Sequence, residues 1–360
     1  GNIGRNTAPY LIASYYDSSL VDGMAGSVNT PPNKDIRWEK TTTVNVGVDF
    51  ALFRHRLSGT IEYYNKYSVD LLAAINGSPT QGFGYTTLMT NNGKMVNRGV
   101  EITLSGEIIR QKDFSWNASL LYAFNRNKVK HISVQPSLWD SRISMPTSYP
   151  MVGKPLYGIY AYKWAGLNEN GDPQVYDAEN NVTSGPARDY HALVYCGTTV
   201  PIHNASLTNV LRYKGFEFSA MLILDAGHKL RSSNIPSINM SNGRITSTAK
   251  GIVDRWTQPG DVTDVPRLLF SNDTENFNTH RTELYRYSDL FVYDASNIRL
   301  SNISLAYRVP AHWCKKISLS GARLQFNVEN VATFAFDSKA NYDLGGKVKP
   351  NYVWGLYLNF

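Results

Sequence analysis

A dense string of aromatic residues is the clearest candidate for binding chemistry in this chain. The candidate ligand-binding residues are Trp139, Tyr149, Tyr157, Tyr160, Tyr162 and Trp164. Aromatic faces stack on the apolar faces of sugars and pack against peptides, and tyrosine hydroxyls add hydrogen bonds. The competing interpretation, which the pattern favours, is that these rings pack one long loop against another.

Metal-binding chemistry has one weak candidate. The run from Asn168 to Asp172 spaces oxygen-bearing side chains somewhat like part of a calcium loop, but it lacks the glutamate at the twelfth position. A plain turn is therefore the favoured interpretation. The two cysteines, Cys196 and Cys314, are isolated and form neither a disulfide framework nor a metal site. We expect no bound metal and no cofactor.

Catalytic chemistry has no candidate. The seven histidines are scattered over different segments, and no HExxH, GxSxG or CxxC spacing occurs. We therefore expect no catalytic residue and a protein that is not an enzyme.

The last ten residues indicate which structural elements carry the chain. Large apolar residues recur there at every second position, while smaller or more polar residues stand between them. A period of two predicts a strand with two different faces, either the closing strand of a transmembrane barrel or a half-buried terminal strand of a soluble sandwich. The same alternation resembles the signal read by the barrel-assembly machinery, and the candidate signal residues are Tyr352, Trp354, Leu356, Leu358 and Phe360.

The alternation recurs as hairpins with tight turns. Phase slips near Asn302 and Gly321 predict β-bulges there. The predicted strand pairs are Thr41–Ala51 with His55–Tyr67, Val100–Ile108 with Phe114–Phe124, Ser206–Tyr213 with Phe216–Leu224, and Asn297–Tyr307 with Ile317–Val328.

Long polar connections separate these hairpins, at Ser68–Met95, Asn127–Ala205, Asp225–Ser296 and Val331–Pro350. Strict alternation of short turns with long loops is typical of outer-membrane barrels, whose periplasmic turns are short and whose extracellular loops are long. The pattern thus predicts an all-β fold, an antiparallel transmembrane barrel portion of about nine strands.

Composition agrees with a barrel and argues against other classes. The chain has 360 residues, a mean hydropathy of −0.31 and no apolar run of the length that a spanning helix needs. Its net charge of +7 comes from scattered residues, so nucleic-acid binding is not expected. Parity of the strands predicts that Val46, Ile61, Ile102, Leu120 and Leu356 face lipid, whereas Asn45, Glu62, Glu101, Ser119 and Tyr357 face the lumen.

Several segments resemble one family. The stretch NNGKMVNRGVEI, from Asn91 to Ile102, is similar to the Asn-x-Gly-x-Met-x-Asn-x-Gly-x-Glu signature of SusC-like TonB-dependent transporters of the Bacteroidetes outer membrane. One departure is Asn341–Gly345, where the family often has Asp-Pro-Glu. Supporting segments, in family order, are GNIGRNTAPY, VGKPLYGIYAYKWAGLNENGDP, RWTQPGDVTDVPRL, IRLSNISLAYRVP and the terminal WGLYLNF.

The resemblance implies the C-terminal part of a barrel of about 22 strands. Residues 1–40 would then be an extracellular loop segment that precedes a strand, and residues 41–360 would be the C-terminal strands and loops. The plug domain and the TonB box are expected to lie upstream of this chain.

The resemblance also implies a location in the cell outer membrane and energised import of a large nutrient, an oligosaccharide or a peptide. The implied partners are a SusD-like surface lipoprotein, the TonB–ExbB–ExbD complex, the barrel-assembly machinery and the lipid bilayer. A siderophore or haem receptor remains an alternative, as does a passive barrel or surface adhesin.

Overall fold

The computed structural model describes residues 12–17, 23–30, 33–76, 87–134, 141–185, 187, 189–240, 249–270, 279–345 and 349–360. Strands dominate these residues, and none of the helices among them is long and apolar enough to cross a membrane. Short 3-10 helices span Tyr190–Ala192, Lys250–Asp254, Asp289–Phe291 and Ser338–Ala340. The α-helices are α1 (Ser141–Ser144), α2 (Thr279–Arg286), α3 (Ala311–Lys315) and α4 (Asn341–Leu344).

The strands fall into one large sheet and several small ones. In chain order they are β1 (Ile12–Asp17), β2 (Met24–Thr30), β3 (Lys40–Leu52), β4 (Leu57–Asn76), β5 (Thr87–Arg110), β6 (Phe114–His131), β7 (Gly158–Tyr162), β8 (Trp164–Leu167), β9 (Pro173–Tyr176), β10 (Val182–Thr183), β11 (Leu193–Thr198), β12 (His203–Tyr213), β13 (Phe216–Ala226), β14 (Lys229–Arg231), β15 (Asn239–Met240), β16 (Leu269–Phe270), β17 (Val292–Asp294), β18 (Asn297–Arg308), β19 (Gly321–Ala335) and β20 (Asn351–Asn359).

The large sheet has nine strands in the order β20-β19-β18-β13-β12-β6-β5-β4-β3. Every neighbouring pair in it is antiparallel, and the nine strands follow one another across the sheet in chain order, with β7–β11 and β14–β17 lying in the connections outside it. This up-and-down order is the one that closes into a membrane barrel. The predicted all-β barrel portion is therefore confirmed.

The register separates two faces as the alternation predicts. Residues directly opposite each other in a ladder point to the same face. Val48 pairs with Ile61, and Ile61 pairs with Ile102, so these belong to one apolar face, which we call the outer face. Glu62 pairs with Glu101 on the other face, the inner face. The same pairing, followed across the sheet, places Val46, Leu120 and Leu356 on the outer face and Asn45, Ser119 and Tyr357 on the inner face.

Strand ends differ from the prediction in two places. The predicted loop Ser68–Met95 is largely strand, because β4 and β5 continue to pair, with Leu72 opposite Asn91. Backbone pairing needs no apolar face, so the loss of hydrophobic alternation does not end the strands.

Of the two predicted bulges, the one near Asn302 is confirmed by register shifts in both of its ladders. The predicted bulge near Gly321 is wrong. The strand β19 begins at Gly321, and Ile317, where the sequence predicted the strand to begin, belongs to the turn after α3.

The segment assigned to residues 1–40 also contains structure. Here β1 and β2 form a two-stranded antiparallel sheet, and the first strand of the large sheet begins at Lys40. Short turns at one end of the large sheet join β3 to β4, β5 to β6, β12 to β13 and β18 to β19.

At the opposite end the long connections fold into a structured unit, which we call the lobe, formed by the described parts of residues 141–202 and 227–296. Small sheets pair β7 with β11, β9 with both β8 and β10, β14 with β17, and β15 with β16. One apolar core surrounds Tyr160, Tyr162 and Leu284, and a second contains Ile238, Tyr285 and Phe291. The long connections are thus packed structure around their own cores, which the polar appearance of the sequence does not indicate.

Candidate functional site

The aromatic string of the sequence is at the centre of the lobe. Tyr160 and Tyr162 lie on β7 and are each 1% exposed. The Tyr160 hydroxyl accepts a hydrogen bond from the backbone N–H of Met151 at 3.1 Å, and the Tyr162 hydroxyl donates to the carbonyl of Ala187 at 2.7 Å. Both the rings and the hydroxyls are occupied inside the lobe.

The expectation of ligand binding is therefore not supported for three of the candidate residues. Tyr149 is buried like Tyr160 and Tyr162, and a buried ring presents no face on which a sugar could stack. For Tyr160 and Tyr162 the physical reason is that β7 pairs with β11 and lies against α1 and the 3-10 helix Asp289–Phe291, so it runs through the middle of the lobe. These tyrosines pack one long connection against another.

Two other members of the string keep exposed surface. Tyr157 is 46% exposed, and its ring is available to a ligand. Trp164 is half-buried: it packs against both lobe cores, and its indole N–H donates to Asp264 at 3.0 Å. Trp139 lies outside the described residues.

Two arginines, Arg142 and Arg231, contact the aromatic string and connect it to other segments of the lobe. The guanidinium of Arg142 lies 4.9 Å from the ring centroid of Tyr190 and 5.8 Å from that of Tyr160. Burial lowers the pKa of Arg142, and the two phenol side chains oppose that shift. Arg231 donates to the carbonyl of Tyr160 at 2.6 Å and to that of Ser288 at 3.2 Å. Such cation–π and backbone contacts fix the relative positions of the segments that form the lobe.

The calcium-like run is a turn held by arginines. The Asn168 side chain accepts hydrogen bonds from the backbone N–H groups of Asn170 and Asp172. The Asp172 carboxylate binds Arg267 through two hydrogen bonds of 3.0 and 2.8 Å and Arg281 through one of 2.6 Å. Because two cations already neutralise it, this carboxylate is not free for calcium. Within the described ranges, no group of three acidic, histidine or cysteine side chains could hold a metal.

Sequence reasoning missed this charged network. Arg281 belongs to α2 and is only 4% exposed at its side chain. Burial lowers the pKa of Arg281, and Asp172 opposes that shift. The network was detectable in part, since Asp172 and Arg267 fall in two of the segments that carry the family resemblance.

The inner face of the large sheet is a second candidate surface. A depression of about 300 Å³ lies over β5, β6, β12 and β13. Polar side chains on its wall include Glu101, Asn204 and Asp225, and the amide of Asn204 donates to Asp225 at 2.7 Å. Arg299 lies 3.5 Å from Asp225 on the same wall. A wall of carboxylates, amides and hydroxyls can hydrogen-bond a polar solute that passes along it.

The turn end of the inner face carries a third polar group. Arg212 donates to Glu217 at 2.7 Å, and Arg323 donates to the other carboxylate oxygen at 3.1 Å. Polar groups thus occur on the inner face both near the turn end and near the lobe, with apolar residues such as Leu121 and Ile223 between them.

Comparison with known proteins agrees with this architecture. Residues 1–331 match the family described as "TonB dependent receptor-like, beta-barrel". TonB-dependent receptor P3 of Formosa agariphila is 25% identical over 346 residues, which cover 90% of this chain and 33% of that protein. TonB-dependent receptor SusC of Bacteroides thetaiotaomicron is 25% identical over 312 residues, which cover 83% of this chain and 29% of that protein.

Solved structures show the same fold. The RagAB peptide transporter superposes with a TM-score of 0.74 and 22% identity, covering 99% of this chain and 39% of that one. The RagAB peptide importer in its open-open state gives a TM-score of 0.72. This chain spans about a third of the length of the curated relatives that it matches. It belongs to the family of TonB-dependent receptor β-barrels, which are outer-membrane transporters and not enzymes.

Proposed function

We propose that these residues form the C-terminal wall and the extracellular lobe of an energised importer for a large nutrient. The observation that carries the proposal is the contrast between the two faces of the sheet. The inner face carries Glu62, Glu101, Asn204 and Asp225, while Val48, Ile61 and Ile102 stand on the outer face beside them. A barrel with such a wall encloses a hydrated path instead of a packed core.

The proposed substrate is an oligosaccharide or a peptide. Two observations support a large polar solute: the inner wall offers acidic and amide groups, including Glu62 and Asn204, and the lobe keeps the ring of Tyr157 exposed. Among similar proteins, the name SusC does not state a substrate, whereas RagAB is a peptide transporter. We include both substrate classes in the proposal for this reason.

The proposed partners act at different places. A SusD-like lipoprotein would cap the lobe, and TonB–ExbB–ExbD would act through a plug and TonB box outside these residues. The barrel-assembly machinery would read the terminal strand β20. Residues 1–40 would lie on the extracellular side and residues 41–360 would form the barrel wall and loops. The lobe supports this arrangement because its two packed cores make it an ordered surface to which a capping lipoprotein could bind.

Uptake by whole cells tests the proposal. A strain that lacks the full-length receptor is compared with a complemented strain for growth on a panel of glycans and peptides as sole nutrients. We expect loss of growth on one class, restoration by the receptor gene, and the same loss when the tonB gene is deleted. Growth that survives tonB deletion would favour a passive barrel. A defect confined to iron limitation would favour a siderophore or haem receptor.

The partner is tested separately. The receptor is purified from the outer membrane with an affinity tag in a mild detergent, and co-purifying proteins are identified by mass spectrometry. We expect a stoichiometric surface lipoprotein. A receptor that purifies alone in active form would contradict the capped arrangement while leaving import itself intact.

A further inference from the structure

The outer face of the sheet changes character where β5 and β6 rise towards the lobe. Val100 pairs with Phe124 on this face. Two residues further up, Arg98 pairs with Arg126, and after another two Val96 pairs with Lys128. The register is regular through these positions, so all six side chains lie on the outer face. Three cations therefore stand directly above an apolar band.

These cations have no acidic partner among the described residues. The Arg98 guanidinium donates to the amide oxygen of Asn65 at 2.9 Å, which leaves its charge uncompensated. No carboxylate in the described part of the chain lies within ion-pair distance of Arg98, Arg126 or Lys128. Like charges directly opposite each other destabilise a ladder. An anion that bridges them would remove this penalty.

The position of the cations indicates what that anion is. Just below them three aromatic side chains pack together. The Tyr122 hydroxyl is 2.8 Å from Nδ1 of His203, and the His203 ring lies 5.3 Å from that of Phe124. Rings of this kind mark the boundary between hydrocarbon and water in membrane barrels. Two residues of strand rise by about 6.6 Å, which is the thickness of the headgroup layer on one side of a bilayer. Arg98 and Arg126 thus stand at headgroup depth.

Space for an anion is present beside Arg126. A cavity of about 150 Å³ between the end of β6 and the lobe is lined by Arg126, Lys154 and Tyr195, together with Asn125, Asn127 and residues 200–202. Lys154 is held there because its carbonyl accepts from the backbone N–H of Val129, while its ammonium lies 4.9 Å from the Tyr195 ring centroid. A fourth cation therefore borders the same region.

We propose that Arg98, Arg126 and Lys128 bind the phosphate of an anionic lipid headgroup in the membrane leaflet on the lobe side. In the orientation proposed above, this is the extracellular leaflet. Arginine forks pair with phosphate oxygens in bidentate fashion, and the lysine adds a point charge. The site lies outside the barrel, so it is separate from the path of the substrate.

Lipid titration tests the site. The full-length receptor in neutral detergent is titrated with short-chain phosphatidylglycerol, with short-chain phosphatidylcholine and with inorganic phosphate, and bound lipid is counted by native mass spectrometry. We expect binding of the anionic lipid in preference to the neutral one. The variant R98Q/R126Q/K128Q should bind phosphatidylglycerol on the order of a hundredfold more weakly, at about 1 kcal/mol for each lost charge.

The control removes three charges elsewhere. Arg54, Lys112 and Lys315 are exposed in the short turns at the other end of the sheet, so R54Q/K112Q/K315Q should bind the lipid as the wild type does. Folding of each variant is checked by heat-dependent migration in a gel, and the single variant R126Q replaces the triple one if the latter does not fold. Equal weakening in both triple variants, or equal binding of inorganic phosphate, would overturn the proposal. Growth on the nutrient of the uptake test is expected to be unchanged, so failure here leaves the import proposal standing.

Discussion

The ring of Tyr64 lies across Gly99 on the inner face of the sheet. The two residues are paired between β4 and β5, and a Cβ built on Gly99 would collide with the Tyr64 ring and hydroxyl. The hydroxyl of Tyr64 reaches past the glycine and donates to Asn125 on β6 at 3.0 Å. One side chain thereby joins three strands. This is a structural reason for a glycine at this place in the family signature.

Replacing Gly99 by alanine should destabilise the barrel. The added methyl group meets the backbone carbonyl oxygen of Phe124 as well as the Tyr64 ring, and overpacking of this kind costs about 1–3 kcal/mol. The measurement is the midpoint of urea unfolding in lipid vesicles, followed by tryptophan fluorescence. The matched control is Gly106→Ala on the same strand, where the nearest atom is the flexible end of Ile108 at 3.3 Å. The double variant Y64A/G99A should lose less than the sum of the two single variants, because it removes the clash with the ring and keeps only the one with the Phe124 carbonyl. Additive losses would show that the ring does not need the glycine.

An arginine on the outer face should cost far more than one on the inner face. Ile102 and Thr103 are neighbours near the middle of β5 and point to opposite faces. Ile102→Arg places a charge in hydrocarbon and should destabilise the folded barrel by about 2–4 kcal/mol, whereas Thr103→Arg enters a hydrated wall and should cost about 1 kcal/mol or less. The free energies of unfolding of the two variants, measured in the same vesicles, make the comparison. Equal costs would contradict the assignment of faces.

The two faces were predictable from the sequence because their cause is local. Side chains alternate along any strand, so the position of Ile102 relative to Thr103 follows from a period of two. The fate of the aromatic string was not predictable in this way. Tyr157 and Tyr160 have the same residue type and lie three positions apart, yet one is exposed and the other is buried, because Tyr160 lies on β7, which β11 and α1 cover, whereas Tyr157 precedes that strand.

Long-range contacts were equally out of reach of the sequence. Asp172 and Arg281 are 109 residues apart, and nothing in the spacing of either segment brings them together. The residue spacing of Asn168–Asp172 favoured a plain turn and gave no indication of the arginines that bind Asp172. The strand extensions of β4 and β5 were missed for a related reason, since pairing outside the hydrocarbon leaves no apolar pattern.

Removal of the Asp172 carboxylate should unfold part of the lobe. In Asp172→Asn, Arg281 stays buried without a countercharge, and breaking such a pair costs about 3–5 kcal/mol. The measurement is limited proteolysis of the receptor in intact outer membranes, with the lobe expected to be cut faster while the barrel strands stay protected. Glu169→Gln is the control, because Glu169 is exposed in the same turn. Unchanged cleavage of the Asp172 variant would remove the network from any structural role.

The contact between β14 and β17 should weaken in acid. Burial opposes ionisation of Asp294, but hydrogen bonds from Ser296 and the Lys229 ammonium outweigh it and lower the pKa of Asp294 to about 2. A lowered pKa stabilises the fold at pH values above that of a free carboxyl group, near 4, and the gain disappears as the pH falls towards 2. Hydrogen exchange of the β17 amides should therefore accelerate between about pH 4 and 2 relative to the intrinsic rate. In Asp294→Asn the exchange should be fast already at neutral pH and show no such acid step.

Substitution of the last residue, Phe360, distinguishes two roles of the terminal strand β20: supplying lipid-facing area and carrying an assembly signal. Phe360 follows β20 and is 92% exposed, so its ring makes few contacts within the described chain. If it only adds lipid-facing area, Phe360→Ala costs at most about 1.5–3 kcal/mol, a small loss for a barrel of this size, and surface levels should scarcely change. If the ring belongs to a signal for the barrel-assembly machinery, surface levels of the full-length receptor should fall severalfold, while the purified folded variant melts nearly as the wild type does. The control is Phe334→Ala, an exposed outer-face phenylalanine on the neighbouring strand β19. We expect a fall in surface level for Phe360→Ala alone, because a signal depends on position whereas area does not. Quantitative surface labelling of the two variants decides the matter, and equal levels would leave Phe360 as ordinary lipid-facing bulk.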